Sequence, residues 1–559
     1  MTKTAAPESG TSKEDVDAVV VGAGLAGLGM VYHLVDRGFS VRAFEAANDV
    51  GGTWYWNRYP GARCDSPVDV YCYFFSDELL QSWNWSSKYP RQPELLRYFQ
   101  HVADRFDLRQ HITFETRVVS ARFDEERNRW VVKTDGGEQV TCKYLITAVG
   151  CLSSIQVPDF PGLETFRGEW YHSARWPHEG VDFAGKRVGI IGTGSTGIQA
   201  TPLIAAEADH LTVFQRTPNF SLPARDHRLS QEQMTALKQS YRTIHETIRH
   251  TVSGQLYQLK PGSALDVPAD ERLRLYEKDW AEGGFHLLFG EWEDLLTNEE
   301  SNTTAADFVR SKIAEIVQDP HTRELLQPRD HPIGTKRPAL DSDYFETFNR
   351  DNVSLVDVRA APIVELTEQG VRTTETEYEL DCLVFATGFD AITGALLEMD
   401  IRGRGGLPLK EKWVDGPTTY LGLGTEGFPN LFTITGPGSP AVLGNMPITI
   451  EQHLEWIRDC LEHLRAEGLD TIEATSDAER EWTAEVEAIA AETLMVKVNS
   501  WYMGSNIPGK PRRFVIYLGG VGQYGDVIEG VAGSGYPGFT LSSSPQPVGV
   551  LAGPSGGPS

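Results

Sequence analysis

A chain of 559 residues is too long for one hydrophobic core and should hold two or three domains. Hydrophobic content of 40% and charged content of 23% are those of a soluble globular protein, and a net charge of −27 argues against nucleic acid or an anionic membrane surface as partner. The six cysteines (Cys64, Cys72, Cys142, Cys151, Cys382 and Cys460) form no CxxC and no metal-ligand spacing, which argues against a disulfide framework, a zinc site or a dithiol reductase and fits reduced thiols in a cytoplasmic enzyme.

Residues 1–15 are small and polar and read as a disordered tail. The apolar stretch 18–35 could be mistaken for a signal or membrane segment. Four glycines and His33 interrupt it, and acidic residues precede it where a signal peptide needs positive charge, so no integral membrane segment is expected. It reads instead as a buried strand over 16–21, a turn Gly22-Ala23-Gly24-Leu25-Ala26-Gly27, and a helix over 25–37 stopped by Gly38. A second strand, 40–44, ends at Glu45. Glycines at Gly22, Gly24 and Gly27 let the backbone turn sharply and approach a pyrophosphate, with the helix N-terminus aimed at its charge. Glu45 stands 23 positions after Gly22, near the ~20-residue spacing at which an acid accepts hydrogen bonds from a ribose. A carboxylate there repels a 2′-phosphate, so this site suits an unphosphorylated adenosine such as that of FAD. The alternative for Glu45 is an exposed strand-end charge.

Residues 51–65, GGTWYWNRYPGARCD, are too rich in glycine and aromatics for a regular element and read as a functional loop. Alternating stretches at 112–114, 118–123 and 130–134 predict an antiparallel sheet, and 144–149 a buried strand ending at Gly150. A second dinucleotide unit follows: a strand over 187–191, the turn Gly192-Thr193-Gly194-Ser195-Thr196-Gly197, and a helix from Ile198 that carries Gln199. Its second strand, 211–214, ends in Gln215-Arg216-Thr217, where an acid would favour NAD. A guanidinium and a hydroxyl there hold a 2′-phosphate, so this site prefers NADPH. Segments 230–251, 269–282 and 304–317 carry helical spacing and form a helical insertion, 225–330. Strands over 353–358 and 382–386 return to the sheet, the latter running into Thr387-Gly388-Phe389-Asp390. A helix with Ile450, Leu454, Ile457, Leu461 and Leu464 along one side is core packing, and 542–559 is a Ser/Pro/Gly-rich tail.

One further stretch is more specific than any glycine motif. Phe166-x-Gly168-x-x-x-His172-x-x-x-Trp176-Pro177 lies directly before the second glycine turn. It resembles, at every fixed position, the fingerprint of the type I Baeyer–Villiger monooxygenases, flavoenzymes that insert oxygen beside a ketone carbonyl. Taken alone, His172 is more simply a satisfied hydrogen-bonding residue. The resemblance runs from Val16 to about Leu541. It is nearest to the phenylacetone and steroid monooxygenase branch, judged from the loops Trp54 to Asp65 and Gly436 to Met446. It implies an α/β fold with two Rossmann-like dinucleotide-binding domains, FAD on 16–150 with 387–541 and NADPH on 151–224 with 331–386, joined through the Thr387-Gly388-Phe389-Asp390 crossover.

The resemblance also implies roles. Ala26, Thr53, Trp54, Asp65, Tyr71, Val118 and Met446 join Gly22, Gly24, Gly27 and Glu45 around FAD. Lys336 joins Arg216 and Thr217 on the 2′-phosphate, and Trp501 contacts the nicotinamide cofactor. NADPH reduces FAD, the reduced flavin adds O2 at C4a, and the peroxyflavin attacks a ketone to give an ester or lactone. Arg337 follows Gly334-Thr335-Lys336 as the family's active-site arginine does and would stabilise peroxide and oxyanion, oriented by Asp65. Taken singly, Arg337 could be a surface salt bridge. Two rivals stay open: an N- or S-oxygenating flavin monooxygenase, and a non-catalytic FAD-binding redox sensor. Neither the ketone nor the oligomeric state follows from the sequence, though a monomer is compatible with it.

Overall fold

The computed structural model describes residues 14–505 and 507–543. Two sheets dominate, each built around one glycine turn. In the first the strand order is Asp400–Arg402, Val118–Asp124, Arg129–Thr134, Gln139–Thr147, Glu14–Val21, Val41–Phe44 and Ile112–Thr113, with Leu431–Thr433 also paired to Gln139–Thr147. Glu14–Val21 lies between two parallel neighbours, with Ala18 opposite both Val41 and Tyr144. Such a strand has no solvent face, which is why Ala18, Val19, Val20 and Val21 are apolar without alternation and all buried. The helix Leu25–Asp36 makes the crossover.

Three local expectations change here. The first strand starts at Glu14, two residues early, because Glu14 and Asp15 extend the ladder to Val140 and Thr141. Ile112–Thr113 does not join the antiparallel meander. It runs parallel beside Val41–Phe44, and the antiparallel part is Val118–Asp124 with Arg129–Thr134 and Gln139–Thr147. Ser542, assigned to the tail, ends the strand Phe539–Ser542 paired with Thr471–Ala474. The other tail positions, 1–13 and 544–559, lie outside the described residues.

The second sheet is parallel throughout, in the order Val353–Asp357, His210–Gln215, Arg187–Ile191, Cys382–Phe385 and Glu169–His172. Its helix is Ser195–Glu207, three residues longer at the N-terminus than the apolar spacing suggested, so Ser195, Thr196 and Gly197 form the first helical turn. The expected insertion has no core of its own. Gln231–Ile248 starts on a capping box between Ser230 and Gln233 and buries Met234, Tyr241, Ile244 and Ile248 in the first unit's core. Ala269–Glu282 and Glu299–Ile316 bury Tyr276, Phe308, Val309 and Ile313 in the second. The segment therefore ties the units together.

The chain also crosses between the units twice, and the two crossings bond to each other. Gln156 N donates to Gly388 O at 3.1 Å, Asp390 N to Ser154 O at 2.9 Å, and Ile392 N to Cys151 O at 2.8 Å.

Candidate functional site

Both glycine turns are dictated by sterics at their ends and left open in the middle. Gly22 and Gly192 have φ of +105° and +113°, and a Cβ would come within 2.6 Å of Ala148 O and 2.4 Å of Ala386 O. At Gly27 and Gly197 a Cβ would strike the turn's own carbonyls, Gly22 O at 1.8 Å and Gly192 O at 2.1 Å. The central glycines differ. A Cβ on Gly24 would face only Gly52, its Cα at 3.2 Å, and one on Gly194 would meet nothing within 4 Å. Each is also the N-cap of its helix and makes no side-chain capping bond. Two helix ends with uncapped N–H groups and bare backbone beside them fit the pyrophosphates of two dinucleotides. Thr193 braces the second turn by donating Oγ1–H to Thr217 O at 2.8 Å.

Glu45 is not an exposed strand-end charge. It is 6% exposed, and its carboxylate accepts from Ala23 N at 2.7 Å and Ala47 N at 2.8 Å. Burial raises its pKa, and those N–H bonds oppose the rise. Ala26 packs into the core from the first turn of the helix, and Val118 is buried in a cluster with Val21 and Phe44.

The 51–65 loop is not wholly irregular: Thr53–Trp56 forms one helical turn capped by Gly52. Thr53 is exposed. Trp54 donates Nε1–H to the hydroxyl of half-buried Tyr71 at 3.0 Å and accepts from Gln92 Nε2 at its carbonyl. The far end of the loop lies on the second unit. Tyr59 OH bonds Gln199 Oε1 at 2.9 Å, Arg63 pairs with Asp226 at 3.3 Å, and a Cβ on Gly61 would meet Gln199 O at 2.3 Å. The loop around the first nucleotide site thus abuts the helix of the second.

Arg337 sits at that meeting point. Its Nε and Nη2 both donate to Asp65 Oδ2, at 3.0 and 2.8 Å, and its Nη1 to Val442 O at 2.5 Å. The Phe285 ring lies 5.8 Å from the guanidinium carbon, and Asn219 Nδ2 donates to the Arg337 carbonyl at 2.9 Å. Burial works against its charge, but Asp65 holds the guanidinium pKa above its ordinary value. The side chains of Arg337 and Asp65 are 26% and 23% exposed, so the pair remains open to a ligand. Among the described residues the fully buried Tyr502 hydroxyl has no partner in hydrogen-bond geometry, and Arg337 is the cation acting on it. Phe285, Val442, Asn219 and Tyr502 were not read from the sequence. Trp501 packs on Tyr502 with the rings tilted, centroids 4.1 Å apart, and Met446 opens the helix Met446–Ala466 just beyond Val442. Asn506, in the same motif as Trp501, is outside the described residues.

Arg216 and Thr217 directly follow His210–Gln215, and Lys336 lies within electrostatic range of Arg216. Lys336 has its pKa lowered, first by burial and then by Arg359 and Arg216, with Asp330 acting the other way. Among the described residues neither Lys336 nor Arg216 has an ion-pair partner, in a chain where acids outnumber bases 78 to 51. Two adjacent unpaired cations are a site for an anion.

The fingerprint residues are architectural. His172, 3% exposed, accepts from Ala174 N at Nδ1 (3.2 Å) and meets Thr387 Oγ1 at Nε2 (3.5 Å), while Thr387 donates to Gln156 O. It clasps the two crossings. Burial lowers its pKa, which favours the neutral ring. Trp176 is buried between Tyr171 and Phe183, and Pro177 O caps a turn to Gly180. A Cβ on Gly168 would strike the Phe166 ring at 2.4 Å.

One mixed-sheet and one parallel-sheet unit, each presenting a bare helix end, with the half-buried Arg337–Asp65 ion pair where they meet, fit a two-dinucleotide flavoprotein of the monooxygenase class. The Flavin-binding monooxygenase-like family matches residues 16–257. The chain is 43% identical over 525 residues to a Baeyer–Villiger monooxygenase of Pseudooceanicola batsensis, covering 93% of this chain and 95% of that one. It is 43% identical over 536 residues to a phenazine N-monooxygenase of Lysobacter antibioticus, covering 95% and 98%. Among solved structures it matches an oxidised steroid monooxygenase bound to NADP at 50% identity and a TM-score of 0.91, over 95% of this chain and all of the other. The chain belongs to the Baeyer–Villiger monooxygenases, FAD- and NADPH-dependent enzymes.

Proposed function

We propose that this enzyme oxidises ketones to esters or lactones with NADPH and O2, and that Arg337 is its catalytic cation. One observation carries the reading: a guanidinium fixed by Asp65, Val442 O and a Phe285 face, yet reachable by ligand, where the FAD loop meets the NADPH unit. Bound FAD supplies the oxidising chemistry, taking electrons from NADPH and activating O2. Arg337 holds a fixed positive charge where negative charge develops on oxygen, and Asp65 keeps that charge oriented without neutralising it fully. Gly22, Gly24, Gly27 and Glu45, with Thr53, Trp54 and Tyr71, hold FAD on 16–150 and 387–541. Gly192 to Gly197 and Gln199 hold NADPH on 151–224 and 331–386, with Arg216, Thr217 and Lys336 on its 2′-phosphate. Six free, buried cysteines support a cytoplasmic setting.

N-oxygenation has one observation in its favour, the equal identity to the phenazine N-monooxygenase. Product analysis on ketone and N-heteroaromatic substrates side by side separates the two. Arg337→Ala tests the mechanism. It should keep FAD and still reduce it with NADPH, while ester formation falls by at least the ~100-fold typical of losing one oxyanion donor, with hydrogen peroxide released instead. A variant forming ester near the wild-type rate in stopped-flow and product assays means another group carries the charge.

A further inference from the structure

Arg359 lies just beyond the strand Val353–Asp357, which runs parallel to His210–Gln215 with Asp357 opposite Gln215. Val358 N donates to Gln215 O at 2.9 Å, and Arg359 N to Asp357 Oδ1 at 2.8 Å, which fixes the turn. The register therefore sets Arg359 beside Thr217, 142 positions away in sequence. Its Nη2 donates to Thr217 Oγ1 at 2.8 Å and also to the Asp330 carboxylate, whose other oxygen meets His331 Nδ1 at 2.6 Å. Its Nε and Nη1 make no hydrogen bond among the described residues.

We propose that Arg359 is a further coenzyme-selecting residue, a third cation on the 2′-phosphate of NADPH, with Asp330 as its internal counter-ion. The proposal rests on the reading of Arg216, Thr217 and Lys336 as the phosphate site. Thr217 Oγ1 accepts from Arg359 and keeps its own O–H to donate. A phosphate oxygen taking that proton lies within two hydrogen bonds, roughly 5–6 Å, of the guanidinium. The three unused N–H donors, one on Nε and two on Nη1, are then available to a group carrying about −1.5 to −2 charge, a fork that matches phosphate better than it matches a single half-exposed carboxylate. Asp330 holds Arg359 in place when no phosphate is bound. NADH gives Arg359 nothing to leave Asp330 for.

Calorimetric titration of the FAD-loaded enzyme tests this with NADP+ against NAD+, and with adenosine 2′,5′-bisphosphate against 5′-AMP. Arg359→Ala should weaken NADP+ and the bisphosphate about tenfold and leave NAD+ and AMP within twofold, a tenfold change corresponding to ~1.4 kcal/mol. Arg359→Gln, which can still donate to Asp330, should show the same loss with an unchanged melting temperature, and Arg359→Lys should recover part of it. NADP+ binding within twofold of wild type, or equal losses for both coenzymes, overturns the proposal. Arg216→Ala runs alongside. If it alone loses selectivity, Arg359 is no ligand and the phosphate site stands; if neither loses it, both assignments fall.

Discussion

On the proposed function Arg216 and Glu45 would discriminate between the two nucleotide sites by charge, and each makes a separable prediction. Arg216→Ala should weaken NADPH by roughly ten- to a hundredfold, the value of one charge-assisted contact, and NADH far less, measured as two dissociation constants. Glu45→Ala removes the acceptor for Ala23 N and Ala47 N as well as the proposed ribose ligand, so FAD should be lost on purification while NADPH preference stays. Loss of NADPH with FAD retained would reverse the site assignment. Asp341 makes a third prediction, in pH. Burial lifts its pKa to about 7, with the Ser221 hydroxyl bond opposing. That lies above the unfolded value, so the fold favours the neutral acid. The stability this contributes is complete below the ordinary aspartate range and is lost as pH rises through about 7. Asp341→Asn should therefore melt close to wild type near pH 4 and several degrees above it at pH 8 by scanning calorimetry. Such residues differ in how far a sequence discloses them. Glu45 is legible because spacing along one βαβ unit fixes it. Tyr502, Val442 and Arg359 are not, because each reaches its partner across more than a hundred residues of intervening chain.

At the scale of elements, the glycine turns were readable because their constraint is local. A positive φ and a carbonyl two ångströms from a would-be Cβ follow from strand, turn and helix geometry alone. What the pattern did not distinguish is which glycines serve the fold and which serve the ligand. Gly197→Ala places a Cβ 2.1 Å from Gly192 O and should reduce soluble yield and melting temperature. Gly194→Ala meets no atom within 4 Å and has no positive φ, so its melting temperature should match wild type while NADP+ affinity drops at least tenfold. If Gly194→Ala binds NADP+ normally by calorimetry, the coenzyme does not approach that backbone. The packing of the helical insertion is not legible for a related reason. Periodicity identifies an apolar face, as in Gln231–Ile248, but not which unit covers it, and here the faces divide between two cores.

For the whole molecule, the two crossings matter more than either sheet. They run antiparallel, bonded at Gln156–Gly388, Asp390–Ser154 and Ile392–Cys151, and His172 clasps them through Thr387. A pair of ribbons joined side by side behaves as a leaf hinge. It yields to bending about one axis and resists both twist and stretch, since those would shear the bonds between the leaves. The Arg337–Asp65 ion pair is a second seam between the same two units, since Asp65 ends the loop of the first and Arg337 packs beside the second. Any relative turn of the units would have to be shared between the ribbon joint, that ion pair and the helices buried in both cores.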